Sequence, residues 1–551
     1  MSAIRTNGSL KLVATLVAAL ALVAGACSSG GDEETGGEST DVSGAIKTGG
    51  DMVYALEAET SGGFCFSDSQ LAISGMMVTR SIYDLLTVPA EGGGFAPYLL
   101  ESLESNDTAD SWTLKLREDV KFHDGTDLDS TVLKNNIDAW LGRYPARPSL
   151  FGVFVLEPID TVEIVDDLTV EITTKVPWPA FPAYLYGGSR LGIMGQAQLD
   201  DPDNCDKNLI GTGPFKLEEW VINDKMVTTR NEDYWATDDD GNQLPYLDSL
   251  TFVPVPDSQV RVNGLLAGEY DVIMTAAAPA TENLNEEAEA GSVSLYQTTV
   301  NAEVNNLMFN HARPPFDDQG AREAAILAMD QETRDEVVTF NLFGQANGPF
   351  PPGAPGYLED SGWPEYDLEK AKELVADYEA RTGQPLDFSY LHGNDEESIR
   401  SASFNQQQFE AAGMKVNMQT REQATLISEA LGTEWDMMAF RNFPAGTPDG
   451  NYVWWISDSP VNFPRMNSPE IDALLNEGRS ELDEARALEI YEEVNRKLNE
   501  GSHFLWTDWV QWTIASQPDI SGILGPTLPD GQQPGLGLST GHATVGLHYT
   551  E

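Results

Sequence analysis

Side chains suited to holding a small molecule are concentrated between Trp435 and Ser457, in the segment WDMMAFRNFPAGTPDGNYVWWIS. A ligand cleft needs flat apolar surfaces and a few polar anchors, because the surfaces bury area and the anchors fix orientation. This segment supplies both, so we predict that it lines a ligand cleft. The candidate ligand-binding residues are Phe440, Arg441, Asn442, Asp449, Trp454 and Trp455.

Three aromatic residues elsewhere are further candidates. Trp509 is one of three regularly spaced tryptophans near the C-terminus, and we expect its ring in the cleft and the other two in the core or a hinge. Phe64 and Phe66 flank Cys65 on a predicted loop. Aromatic rings on loops often contact ligands. They would equally well pack against a disulfide at Cys65, and the sequence leaves both possibilities open.

Catalytic and metal-binding motifs do not stand out. The six histidines show no HExxH or comparable zinc spacing, and no GxSxG nucleophile motif occurs. The 88 acidic residues are too many to single out a catalytic pair. We therefore predict no catalytic residue, no metal site and no cofactor.

The N-terminus reads as an export signal over residues 1–26. Arg5 and Lys11 precede an apolar run from Leu12 to Ala24, which is shorter than the ~20 residues that span a membrane. The sequence LVAGAC, ending at Cys27, resembles the lipobox at which bacteria acylate a cysteine, with Ala24 where that pattern prefers leucine. We predict lipidation at Cys27, and the alternative is a plain secretory peptide cleaved nearby.

Residues 27–48 follow as a predicted flexible tether. They are mostly glycine, serine, threonine and acids, and such a composition cannot repay the entropy of ordering. A tether of roughly 20 residues has a root-mean-square reach of about 25 Å. This reach is enough to hold a folded body clear of a membrane surface.

The two remaining cysteines are Cys65 and Cys205. An exported chain meets an oxidising environment, in which a pair of cysteines usually closes. We predict a disulfide between them.

The formal net charge of −56 is extreme. Such a surface repels nucleic acid and anionic lipid headgroups, which argues against both as partners. The acids are spread along the whole chain, a pattern typical of a solvated acidic surface.

The most informative pattern is the run GTGPFKLEEWVINDKMVTTRNEDYW from Gly211 to Trp235. Its glycines and Pro214 predict a tight turn, because glycine reaches positive φ without penalty. Alternating apolar and polar residues then predict a hairpin turned at Asn223-Asp224, with Met226 to Thr229 as the return strand. The wording GTGPF…W…RNxDYW resembles the signature of extracellular solute-binding proteins of family 5, which serve ABC importers of peptides, nickel and related solutes.

Further motifs occur in the order that this family shows. SWTLKLREDVKFHDGT precedes a helix that Asp127 or Ser130 would cap, and His123 in this motif is expected to be a hydrogen-bonded residue at a strand end. LLAGEYDVI and NNLMFNHARPPFDD resemble the segments on either side of the family's crossover between lobes. A last strand, Phe504 to Ile514, is expected to cross back.

The resemblance implies an α/β fold of the periplasmic-binding-protein type II kind, with two doubly wound lobes joined by a hinge and a smaller inserted lobe. We assign residues 49–85, 208–303 and 513–551 to lobe I, residues 86–207 to the inserted lobe II, and residues 304–512 to lobe III.

The resemblance also implies function. It predicts a monomeric lipoprotein, not an enzyme, held at the outer face of the cytoplasmic membrane, which binds a solute between its lobes and passes it to an ABC permease and ATPase. The solute would be a peptide, with an oligosaccharide or a metal chelate as alternatives.

Peptide receptors of this kind carry an aspartate that binds the peptide's amino group. This chain has Asn442 or Phe443 at that place, and Asp449 would replace the aspartate if the loop bends differently. The alternatives are a surface-anchored hydrolase acting on peptides or glycans, and a receptor or chaperone without a permease.

Overall fold

The computed structural model describes residues 44–59, 63–69, 71, 73–150, 152–298, 303–442, 446–535 and 542–551. The predicted export signal and Cys27 lie outside these residues. The end of the predicted tether is ordered, since Ile46–Lys47 pairs with His548–Thr550, whose other neighbour is Ile520–Ser521. Within the described ranges no helix is both long and apolar enough to cross a membrane.

A seven-stranded mixed sheet gathers segments from both ends of the chain. Its strands, in spatial order, are Ser294–Thr298, Trp512–Ser516, Val272–Thr275, Asp51–Leu56, Ser249–Pro254, Lys225–Arg230 and Phe215–Val221. The central strand Asp51–Leu56 is parallel to both of its neighbours. The predicted hairpin is confirmed at the edge of this sheet. The accompanying helices are Ile73–Ile82, Ser258–Leu266 and Ala278–Glu289.

A four-stranded antiparallel sheet is inserted between strands of the first sheet. Its strands, in spatial order, are Leu100–Ser105, Ser111–Leu116, Thr169–Thr174 and Ile159–Asp166. Helix Ser130–Trp140 packs on it and is capped by Asp129, not by either predicted residue, because the Asp129 carboxylate accepts from the Val132 amide. The remaining elements of this region are Thr87–Pro89, Phe95–Pro97, Gly152–Val155, Phe181–Tyr186, Gly187–Ser189 and Gln196–Leu199.

A six-stranded sheet occupies the rest of the chain and buries an apolar core on each face. Its strands, in spatial order, are Gly344–Gln345, Phe504–Trp509, Val304–Phe309, Met437–Asn442, Asp387–Gly393 and Lys415–Arg421. Its helices are Gln319–Leu327, Gln331–Arg334, the π-helix Asp335–Thr339, Leu368–Thr382, Glu396–Ala411, Gln423–Ala430, Pro448–Asn451, Tyr452–Trp455, Pro469–Ser480 and Glu484–Glu500. The mixed sheets and helices confirm the predicted α/β class.

The chain passes between the seven-stranded and six-stranded sheets twice, once between Thr298 and Val304 and once between Trp509 and Trp512. The segment from Phe504 to Ile514 crosses back as predicted, but the prediction of a single strand is wrong. It consists of two strands in different sheets, and Trp512 already belongs to the seven-stranded one. Two short connections of this kind are the usual form of a hinge between two bodies.

The predicted turn at Gly211 packs against the end of helix Ile73–Ile82. A Cβ atom on Gly211 would lie 2.0 Å from the Ile82 carbonyl oxygen, and one on Gly213 would lie 2.5 Å from the carbonyl carbon. Neither glycine has a positive φ, so close approach, and not the predicted backbone conformation, requires glycine here. His123 is hydrogen-bonded as predicted, with Nε2 3.0 Å from the Gly213 carbonyl oxygen.

Cys65 and Cys205 form the predicted disulfide, with Cα atoms 5.3 Å apart. Both are buried in the core of the seven-stranded sheet. The bond ties the loop before helix Ile73–Ile82 to the segment that returns from the four-stranded region.

Candidate functional site

Arg441 lies where the seven-stranded and six-stranded sheets meet. Its Nη1 atom is 3.6 Å from Glu303 Oε2, and its guanidinium carbon is 5.6 Å from the centre of the Trp512 ring. Trp512 Nε1 in turn donates to Glu303 Oε2 at 3.3 Å. Because Trp512 belongs to the seven-stranded sheet and Arg441 to the six-stranded sheet, these contacts join the two bodies beside the crossovers.

Three further carboxylates, those of Glu57, Asp395 and Glu397, act electrostatically on Arg441. Together with Glu303 and Arg441 they form what we call the Arg441 cluster. Glu57 directly follows the central strand of the seven-stranded sheet, and Asp395 caps the helix that carries Glu397 in its first turn. Burial lowers the pKa of Arg441, but the carboxylates of Glu303, Glu57 and Glu397 outweigh burial and raise it. The cluster therefore combines one permanent positive charge with acids from both sheets.

Two of these carboxyl groups have a raised pKa. Burial raises the pKa of Glu397 to about 8, with Arg441 opposing the rise and Asp508 adding to it. Burial likewise raises the pKa of Glu57, against the lowering effects of Arg441 and Arg261. Strongly shifted carboxylates in a cleft are typical of sites that bind or react with ligands.

A polar row on the six-stranded sheet extends the cluster. Asn305 stands between Arg441 and Asp508 on neighbouring strands, and its Nδ2 atom donates to Asp508 Oδ2 at 2.6 Å. Asp508 is also paired with Arg334, and both side chains are almost fully buried. The row places fixed hydrogen-bond donors and acceptors beside Arg441.

The opposite face of strand Met437–Asn442 borders a small aromatic pocket, which has room for little more than a water molecule. Phe440 and Asn442 point to this face because side chains alternate along a strand. The pocket also contains Trp454 and Trp455 from the helix that follows. Four predicted site residues thus line one pocket, and Arg441 lies on the other face of the same strand.

Asp449 is not free to act as an anchor for an amine. Its Oδ1 atom accepts from Arg479 Nε and from the Tyr491 hydroxyl, each at 3.0 Å, and its Oδ2 atom accepts from Trp178 Nε1 at 2.9 Å. The residue is 2% exposed. Its carboxylate therefore serves a contact between the six-stranded and four-stranded regions.

The remaining predicted residues lie in apolar cores. Phe64 and Phe66 are buried beside the disulfide and pack against Tyr83, an arrangement that corresponds to the alternative of packing near Cys65. Trp509 packs edge-on to Tyr357 with ring centres 5.8 Å apart, and among the described residues its Nε1 atom has no hydrogen-bond partner.

Most residues of the Arg441 cluster were missed by the sequence reasoning. A usable signal existed, because Glu57 and Asp395 each follow a strand rich in buried residues within two residues. The carboxyl ends of parallel strands are where open α/β sheets bind ligands. Across the described ranges no group of three or more His, Cys, Asp or Glu side chains is arranged to hold a metal ion.

Comparisons with known proteins agree with this architecture. Residues 94–463 match the family model described as bacterial extracellular solute-binding proteins, family 5 Middle. A curated relative, the glutathione-binding protein GsiB of Salmonella paratyphi A, is 28% identical over 434 residues, covering 76% of this chain and 80% of GsiB.

Solved structures share the fold. The periplasmic binding protein AgaA from A. tumefacien R10, in complex with agropinic acid, has a TM-score of 0.79 at 24% identity, covering 91% of this chain and 99% of AgaA. The Helicobacter pylori protein DppA, in complex with the peptide STSA, has a TM-score of 0.79 at 20% identity, covering 92% and 99%.

Proposed function

Because the chain belongs to the bacterial extracellular solute-binding proteins of family 5, we propose that it captures a small solute beside Arg441 and delivers it to the permease and ATPase of an ABC importer. The observation that carries the proposal is the Arg441 cluster, in which Glu303 lies 3.6 Å from Arg441 and acids from both hinged sheets raise the pKa of this arginine. Members of the family are solute-binding proteins, so this chain is a binding protein and not an enzyme. The comparisons give the alternative of a hydrolase no support.

The proposed solute is a peptide or a related small molecule that carries both an amino group and a carboxylate. Arg441 offers a planar donor for a carboxylate, and Glu57 and Glu397 offer acceptors for an amine. GsiB is named for glutathione binding, and DppA was solved with a peptide.

The proposed lobes follow the sheets. Lobe I comprises residues 49–85, 208–303 and 513–551 around the seven-stranded sheet, with Trp512 added to it. Lobe II comprises residues 86–207, and lobe III begins at residue 304 and ends before Trp512. Solute binding between lobes I and III would favour the closed arrangement by its differential affinity for that arrangement.

The proposed location is the outer face of the cytoplasmic membrane. A lipid on Cys27 would anchor the monomer to this membrane. Incorporation of a radiolabelled fatty acid into the native chain, and its loss in Cys27→Ser, would support the anchor. Equal labelling of both proteins would contradict it.

Calorimetric titration of the purified protein tests the binding function. The probes are glutathione, the tripeptide Ala-Ala-Ala, maltotriose and a nickel–histidine chelate. We expect at least one of the first two to bind and to be recovered intact by mass spectrometry. Arg441→Gln should weaken that binding at least about tenfold, because a charged hydrogen bond is lost, and the exposed control Arg496→Gln should change it less than twofold.

Each other outcome is informative. Binding of maltotriose or the chelate alone would contradict a peptide solute and leave capture in place. Binding that Arg441→Gln does not weaken would contradict the proposed site. Absence of binding to all four probes, or recovery of a cleaved product, would overturn the proposed function.

A further inference from the structure

A buried contact joins the four-stranded region to the six-stranded region. Its residues are far in sequence from the two crossovers. We call it the Asp449 latch: Trp178 and Tyr184 from the first region, with Asp449, Arg479 and Tyr491 from the second. Trp178 Nε1 donates to Asp449 Oδ2 at 2.9 Å, and the Tyr184 hydroxyl donates to the Asp449 carbonyl oxygen at 2.6 Å. All five residues are less than 6% exposed.

Arg479 strengthens the same contact. Its Nη2 atom donates to the Tyr184 hydroxyl oxygen at 3.0 Å, and its guanidinium carbon lies 5.6 Å from the Trp178 ring centre and 5.9 Å from that of Tyr184. Hydrogen bonds to a carboxylate and cations over aromatic rings are stronger when water is excluded. The latch therefore stabilises contact between the two regions without a solute.

Asp449 forms some of its hydrogen bonds with the four-stranded region and others within its own region, so the two regions can separate reversibly. If the four-stranded region moved away, Asp449 would lose its bonds to Trp178 and Tyr184. It would keep Arg479 Nε and the Tyr491 hydroxyl, which belong to its own region. Because the carboxylate remains paired, separation does not leave an isolated buried charge, which would be very costly.

The latch is also connected to the aromatic pocket. Asp449 lies in the short helix Pro448–Asn451, and the Asn451 side-chain oxygen accepts from Asn442 Nδ2 at 2.5 Å. Asn442 lines the pocket. Movement of Asp449 therefore reaches a predicted ligand-binding residue through one intervening hydrogen bond.

We infer that Asp449 is a positioning residue whose latch to Trp178 and Tyr184 holds the four-stranded and six-stranded regions closed in part of the molecules before solute binds. The inference rests on the proposed function, capture by closure, and adds a device that sets the balance between the open and closed forms. This balance affects the apparent affinity for the solute, because the apparent affinity falls in proportion to the fraction of molecules that are able to bind.

Electron–electron double resonance on the ligand-free protein tests this inference. Spin labels attached through a genetically encoded ketone residue at the exposed positions 163 and 484 report the separation of the two regions. We expect a short-distance and a long-distance population in otherwise unchanged protein. Trp178→Phe keeps an aromatic ring and removes the N–H donor, so the ratio of closed to open molecules should fall about tenfold.

The chain offers a matched control. Trp140 is also buried in the four-stranded region, and among the described residues its Nε1 atom has no hydrogen-bond partner. Trp140→Phe makes the same chemical change and should leave the ratio within twofold of the starting value. Tyr184→Phe provides a second latch variant if Trp178→Phe does not fold, with the same expected direction.

The outcomes separate this inference from the proposed function. A ligand-free protein without a short-distance population would overturn the latch, as would latch variants that match Trp140→Phe. These measurements contain no solute, so they decide the latch even if none of the four titration probes binds. Conversely, a result that overturns the latch would leave the proposal of solute capture beside Arg441 in place.

Discussion

The guanidinium group of Arg441 lies over the ring of Trp512, 5.6 Å from the guanidinium carbon to the ring centre, and the two residues belong to different sheets. Both also contact Glu303, which directly precedes strand Val304–Phe309. The crossover, the arginine and the tryptophan thus form one connected contact. Movement of one sheet against the other must change the surroundings of Arg441.

This contact predicts the effects of two substitutions on stability. Arg441→Gln removes the positive charge from acids that burial already penalises, and we expect the free energy of unfolding to fall by about 1–3 kcal/mol. Arg441→Lys keeps the charge and loses the planar contact with Trp512, so its loss should be smaller. Urea unfolding at pH 8 measures both, with Arg496→Gln expected within about 0.5 kcal/mol of the unsubstituted protein. Equal stability of Arg441→Gln and Arg496→Gln would contradict the coupling.

The raised pKa of Glu397 predicts a dependence of stability on pH. Its pKa is about 8 in the folded protein, above the value of about 4.3 expected in an unfolded chain. The folded form therefore binds the proton more tightly. The contribution of this group is complete below about pH 4.3 and is lost as the pH rises towards 8.

Glu397→Gln should remove that dependence, because the amide does not titrate. The variant should be more stable than the unsubstituted protein at pH 8, and the advantage should shrink at pH 5. Urea unfolding at the two pH values measures the difference. Glu396→Gln changes the exposed neighbour on the same helix turn and should show no such pH-dependent gain. A gain of equal size at pH 5 and pH 8 would mean that titration of Glu397 is not its cause.

Local patterns predicted much of the fold. The alternation from Phe215 to Thr229 gave the hairpin, because one of its faces is buried and the other is wet. The export reading of the N-terminus led to the Cys65–Cys205 pair. These features depend on neighbouring residues or on a single pairing choice, and a sequence contains that information directly.

The Arg441 cluster could not be predicted in the same way. Glu57 approaches Arg441 only because two crossovers bring two sheets together. Glu397 approaches it because the strand before its helix, Asp387–Gly393, lies beside strand Met437–Asn442. Among 88 acids, Glu397 has no local mark of its own, and Glu57 has only its place at the end of a strand. Asp449 shows the opposite error, since its polar type and position in an aromatic loop suggested a free ligand-binding carboxylate. Its partners Trp178 and Arg479 come from distant segments and occupy it.

Removal of the disulfide should cost a large part of the stability. The bond closes a loop with a sequence separation of 140 residues, and restriction of the unfolded chain by such a loop contributes about 5 kcal/mol. We expect Cys65→Ser combined with Cys205→Ser to lower the free energy of unfolding in urea by up to this amount. A reducing agent should destabilise the unsubstituted protein and leave the double variant unchanged. Insensitivity of the unsubstituted protein to reduction under unfolding conditions would contradict a closed bond.

Gly211 supplies the last prediction, because its side of the turn has no room for a methyl group. The Cβ atom of Gly211→Ala would meet the Ile82 carbonyl oxygen at 2.0 Å, so the turn and the end of helix Ile73–Ile82 must separate. Overpacking of this kind costs about 1–3 kcal/mol, and urea unfolding measures it. Gly320→Ala is the matched control, since its nearest neighbours are the tips of the Asp318 and Arg381 side chains at 3.1 and 3.6 Å. Gly320 also lies inside helix Gln319–Leu327, where alanine is the better helix former. The control should therefore be neutral or stabilising, and a Gly211→Ala protein as stable as the control would show that close packing does not require glycine in this turn.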